Sequence, residues 1–193
     1  MALKSHGVTE TTAQDILLSA GAYYKDLKYT EGSGWDGEIL GATSGGGKVT
    51  IEPEYLDLEV DGATVLVKGL KQKVAEKASM EINLTEFREG LIADALHLVE
   101  DKTAKIDGYK KYISKRNISD EDYLENIAFV GTKVDGEQII IIFPNAIITG
   151  AFEIEGKNKE QCTYTITAEC TATFEQDDLE HLPYEIYYPQ QAV

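Results

Sequence analysis

The sequence predicts a mainly β protein: an antiparallel β-sandwich or partly open barrel with one flanking α-helix. Three observations carry that reading. Residues 161–174, QCTYTITAECTATF, alternate without a break, apolar at each even position from Cys162 to Phe174 and polar at each odd one. Period two in β-branched and aromatic residues marks a half-buried strand with one wet face. The dipeptide Asp61-Gly62 stands between apolar runs, as a two-residue hairpin turn requires. One stretch alone, Phe87, Leu91, Ala95 and Leu98, repeats at helical spacing.

Taken in order, residues 1–14 read as a flexible arm, 15–176 as the sandwich domain and 177–193 as an irregular tail. Ile16 to Leu27 predicts an opening strand interrupted near Gly21. A Gly-rich loop, 31–48, follows and holds Trp35, the single tryptophan. Loops of that length are functional or disordered, so Trp35 either folds back on the core or docks on a partner. The Asp61-Gly62 turn then sets a register of Val60 with Ala63, Leu58 with Val65 and Leu56 with Val67, which places Leu56, Leu58 and Val60 in the core. Asp57 and Glu59 face out. A parity change near Pro53 predicts a bulge or bend, with Glu52 and Glu54 close to the same acidic stripe and only Lys68 at hand to neutralise it.

Ala78 to Leu84 predicts a strand with Met80, Ile82 and Leu84 inward, running into a helix over about 85–100 capped by Thr85. Residues 101–122 are locally basic, with Lys102, Lys105, Lys110, Lys111, Lys115 and Arg116 in an acidic chain. They form a solvated loop or an interaction loop that meets acid on a neighbouring copy. Strands resume over 123–133 and 138–143. IIIIF at 139–143 is apolar on both faces, as a central strand covered on both sides should be. Pro144-Asn145 reads as a turn and 156–159 as the hairpin into the alternating strand. At ~3.4 Å per residue that strand would reach roughly 48 Å.

A chain of 193 residues with 42% hydrophobic content can bury a sizeable core. Its net charge of −16 argues against binding nucleic acid by phosphate neutralisation. Cys162 and Cys170, eight apart on one strand face, are too distant for a disulfide. The N-terminus shows no apolar signal-like region, and the longest apolar run is too short to span a membrane. No cofactor is expected. GATSGGGK fails as a phosphate loop because Ala42 and Val49 stand where Gly and Ser/Thr are needed. Asp57-x-Glu59-x-Asp61-Gly62 fails as a calcium loop because Lys68 occupies the bidentate acidic position. His6, His97 and His181 share no metal spacing, and no nucleophile–base pair can be placed, so the chain does not read as an enzyme.

The strand order and the phrases DGATVLVKG and FPNAIITG, with the strand-into-helix joint at Leu84, resemble the major tail (tail tube) proteins of long-tailed, non-contractile siphophages. The resemblance covers most of 17–174. It implies a structural virion protein that stacks in hexameric rings to form a tube. Its partners would be further copies of itself, a tape measure protein, a tail terminator and distal tail or baseplate proteins. DNA would pass through the lumen without specific binding. Six copies at −16 each would carry about −96 per ring, a sign that repels DNA. Glu52, Glu54, Asp57 and Glu59 are the candidates for the lumen. Trp35, Lys110, Lys111, Lys115 and Arg116 are the candidates for contacts between subunits. A tube subunit of a contractile tail or of a type VI secretion-like system would share the fold; a monomeric β-sandwich ligand-binding module would share only its class.

Overall fold

The computed structural model describes residues 6–9, 11–62, 64–103, 106–154, 156, 158–174 and 180–190. Strands take 49% of the described residues and helices 8%, so the protein is mainly β. The strands are β1 (Ala22–Thr30), β2 (Gly34–Ile39), β3 (Thr43–Asp57), β4 (Lys71–Leu84), β5 (Leu98–Glu100), β6 (Tyr112–Ser114), β7 (Tyr123–Thr132), β8 (Gln138–Thr149), β9 (Tyr164–Glu169) and β10 (Glu185–Tyr187). A short helix α1 (Thr12–Asp15) precedes them, and α2 (Glu89–Ala95) follows β4. Eight strands form one antiparallel sheet, in the order β2-β1-β7-β8-β9-β4-β3 with β10 also on β8; it does not close into a barrel. β5 and β6 form a separate pair.

The apolar run on both faces of β8 puts it at the centre. Phe143, Ala146 and Ile148 enter the main core with Met80, Ile82 and Leu84 of β4 and Tyr164, Ile166 and Ala168 of β9. Ile140 and Ile142 face the other way, into a smaller cluster with Leu27, Ala128 and Val130. The expected turn at Pro144-Asn145 is absent, and β8 runs through it. On one side β8 pairs with β7 from Gln138 to Ile147; on the other it holds β10 at 140–142 and β9 at 147–149. Pro144 falls in the gap between those two partners, where the missing N–H breaks no ladder bond.

The sheet curls until its ends approach. β1 follows β7 only as far as Lys25 and Ile127. There Asp26 takes a φ of +56°, and the buried Asn126 side chain replaces the ladder. Its Oδ1 accepts from the Leu27 N–H at 2.9 Å and its Nδ2 donates to the Leu27 carbonyl at 3.1 Å. β1 and β2 can then fold over the smaller cluster. At the opposite end of the order, a Cβ on Gly47 of β3 would lie 2.4 Å from both the Tyr23 hydroxyl of β1 and the Glu81 carbonyl. Only glycine admits that approach. The residues after β4 sew the seam: Thr85 N–H and Oγ1 donate to the Ala42 carbonyl, and Glu86 accepts from the Ala42 N–H. Arg88 bonds both Glu86 and the Ile39 carbonyl. Because 85–88 is non-helical, Thr85 caps nothing and the helix is shorter than the expected 85–100. His97, at a φ of +48°, lies just beyond its end.

Several expectations are overturned. Residues 31–48 are no loop: they hold β2 and the start of β3, because the glycines there permit turns and close approach between paired strands. The alternating stretch 161–174 is a strand only over Tyr164–Glu169, where it pairs with β4 and, at its end, with β8. Its faces are as read: Tyr164, Ile166, Ala168 and Cys170 are buried. Both cysteines are free, and burial pushes the Cys170 thiol up to about 12. The tail 177–193 contains β10, drawn into order by the open edge of β8. Tyr184 beside it donates to Glu76 and packs against the main core. The hairpin expected at 156–159 falls partly outside the described residues. Among the described residues no helix is long and apolar enough to cross a membrane.

Candidate functional site

The largest departure from the sequence reading lies in the β3–β4 pair. Asp61 and Gly62 lie in a turn, with Gly62 at a φ of +89°, but not in the expected two-residue hairpin. The strands below it do not take the register that this turn would impose. Leu56 stands opposite Gln72 and Asp57 opposite Lys71, so 58–70 is a broad tip loop around an open hollow of about 960 Å³. Ala63 lies outside the described residues. Leu56, Leu58 and Val60, expected in the core, are 51%, 43% and 53% exposed, and Val65 and Leu66 exceed 70%. The reason is reach: β3 and β4 run beyond β9, the strand that would have backed them.

The acidic stripe is divided. The bulge sits on β4 at Val74, not on β3 near Pro53, so alternation along β3 is unbroken from Gly47 to Asp57. Glu52 and Glu54 therefore share one face, and Asp57 points to the other with Tyr55. Glu59 lies in the tip loop. Lys68 is not the local cation. Lys71 pairs with Asp57 at 2.7 Å and lies over the Tyr55 ring, and Lys77 stands opposite Glu52.

Glu52 and Glu54 belong to a broader polar surface. Register aligns Lys48, Glu81, Thr167 and Thr149 in one row, and Thr50, Ser79 and Glu169 in the next. Thr149 donates to Glu169 at 2.9 Å and Thr165 to Asn83 at 2.7 Å. This is the wet threonine face of the alternating strand, widened across four strands by β3, β4 and β8.

The basic segment is folded onto its own chain. β6 pairs with β5, and three of the four candidate cations have carboxylates: Lys110 with Glu89 at 2.7 Å, Lys111 with Asp101 at 2.8 Å and Lys115 with Asp122 at 2.8 Å. Lys111 and Thr103 hold the Asp101 carboxyl down at about 2, and Lys115 and Ser119 do the same for Asp122. Arg116 is exposed and, among the described residues, has no ion-pair partner. Lys105 lies outside the described residues. His97 bridges this segment to the sheet, with Nε2 3.0 Å from the Ile148 carbonyl and Nδ1 3.7 Å from Asp122.

Trp35 is in β2, half-buried against the smaller cluster, so it folds back on its own chain. Its ring meets Tyr29 at 5.4 Å and Tyr187 at 4.8 Å, both edge-on. Sequence reasoning missed Asn126, whose polar side chain inside an apolar strand gave no periodic signal. It also missed Lys133, whose buried ammonium lies 3.0 Å from both Asp135 and Glu137 and 5.7 Å from the Tyr188 ring. The close spacing of Lys133, Asp135 and Glu137 was the available clue.

No family model matches the sequence, and no curated protein is similar to it in sequence. Among solved structures, a chain from the tail of an empty GTA particle, computed with helical refinement in C6 symmetry, is similar over 80% of this chain and 92% of that one. The identity is 12% and the TM-score 0.44. A likeness this loose says nothing of what this chain binds or does.

Proposed function

We propose that this chain is a structural virion protein that self-assembles into stacked hexameric rings, forming the tail tube through which a long-tailed phage delivers DNA. One observation carries the reading: the β3–β4 ribbon projects past its sheet and presents Leu56, Leu58, Val60, Val65 and Leu66 to solvent. Apolar side chains gathered at one tip mark a surface that another molecule covers. β2 and β3 also leave two open sheet edges, which a closed ring of subunits would remove. Glu52 and Glu54, on the broad polar face, are the lumen candidates; Asp57 turns away from them. Tape measure, terminator and distal tail proteins would be its partners in the virion.

Purified chain concentrated in chelator should form rings or tubes in negative-stain images, because nothing in the proposed contact needs a metal or nucleotide. A chain that stays monomeric at all concentrations, or that assembles only with added divalent cation or nucleotide, refutes the proposal.

A further inference from the structure

We infer that Arg116 of one copy docks in the aromatic groove around Trp35 of a neighbouring copy, a contact that rests on the assembly proposed above. The groove lies where the β1–β2 hairpin folds over the sheet beside β10. Trp35 stands edge-on to Tyr29 and Tyr187, which are 61% and 43% exposed. These rings, with Pro144, Glu125 and Glu185, border an open hollow of about 400 Å³. Glu125 is paired with Lys28, which also borders the hollow, and Glu185 accepts from the Tyr187 hydroxyl; each carboxylate has further acceptor positions. The surface offers aromatic faces and carboxylates together.

That chemistry selects a guanidinium. Arginine stacks on rings and bonds carboxylates through a planar fork, whereas lysine brings only a point charge. The chain has two arginines. Arg88 is used inside the chain, on Glu86 and the Ile39 carbonyl. Arg116 is exposed beyond β6, among lysines that already have partners. Groove and arginine are thus two different, complementary patches, and head-to-tail contacts of that kind are what a ring requires. Trp, Tyr and Arg are also the residues on which interface energy concentrates.

The test uses the full chain as native protein, Arg116→Glu, Glu185→Arg and the two combined. Assembly is followed by sedimentation against concentration, and circular dichroism checks the fold. Each single reversal should raise the concentration at which rings appear by about tenfold, and the pair should recover most of that loss. Tyr29→Ala, which removes an exposed ring without altering charge, should weaken native assembly but add little to Arg116→Glu. Three results overturn the contact while leaving the tube reading intact. They are native-like assembly of both reversals, a double variant no better than either single one, or altered Trp35 emission in dilute, monomeric Arg116→Glu. A native chain that never assembles removes the contact and the tube reading together.

Discussion

From Ala78 to Leu84, β4 places Ala78, Met80, Ile82 and Leu84 at 0–3% exposure. From Lys71 to Ala75 the same strand stays with the same neighbour apart from the bulge at Val74, yet Leu56, paired across the ribbon with Gln72, is 51% exposed. Both halves have ladder partners and both carry apolar residues. What differs is the third strand: β9 lies beside Ser79 to Leu84 and stops there. Backbone pairing therefore makes a ribbon, and only a further layer makes a core. A two-stranded ribbon is marginal by itself in water.

The comparison breaks most sharply under truncation. Ile82→Ala should cost about 2–5 kcal/mol, because it empties a fully enclosed site. Leu58→Ala should change the isolated chain by less than about 0.5 kcal/mol, as at ordinary surface sites. Denaturant unfolding of the two variants decides it; equal losses would mean that the tip is packed within the monomer.

Next in size is Asn126→Leu. It leaves the Leu27 N–H and carbonyl buried without their partners, at about 2 kcal/mol by the same measurement. Loss of the clasp should also red-shift Trp35 emission, since β1 and β2 carry that ring over the sheet. Hydrogen exchange sharpens the contrast along β4 itself. Amides at 71–76 should exchange at least about tenfold faster than those at 79–84 in the monomer, and should become protected on assembly.

Acid should loosen the β5–β6 segment. Asp101 and Asp122 have folded carboxyls held at about 2, below the unfolded value near ~3.9. A depressed carboxyl contributes stability that is present above the unfolded value and lost as pH falls through the folded one. The loss therefore falls between about pH 4 and pH 2. Carboxyl titration by NMR, with Ile113 as the local reporter, should show it, and Lys115→Met should move the Asp122 titration upward. The smallest effect belongs to the ribbon's surface pair. Asp57→Asn removes the contact with Lys71 between side chains about half exposed and should cost no more than about 1 kcal/mol.

The sequence by itself determined which residues alternate, and so which faces are wet and dry. Tyr164, Ile166 and Ala168 inward with threonines outward, the two-sided apolar run of β8, and Met80, Ile82 and Leu84 in the core were all legible, because each follows from local period. The mainly antiparallel fold with one helix followed from the same signals. Where strands end, and which apolar residues find cover, was decided only in the tertiary structure. Asp61-Gly62 supplied a valid turn, but register along β3–β4 was settled by the core residues 78–84 against Val49 and Ile51. That left Leu56, Leu58 and Val60 outside. The candidate site was legible residue by residue but not as a surface. Glu52 and Glu54 part from Asp57 because alternation along β3 is unbroken, the bulge falling on the partner strand at Val74, where the pattern of β3 gives no sign of it. Long-range pairing sets such choices, and it depends on the whole sheet rather than on any window of the chain.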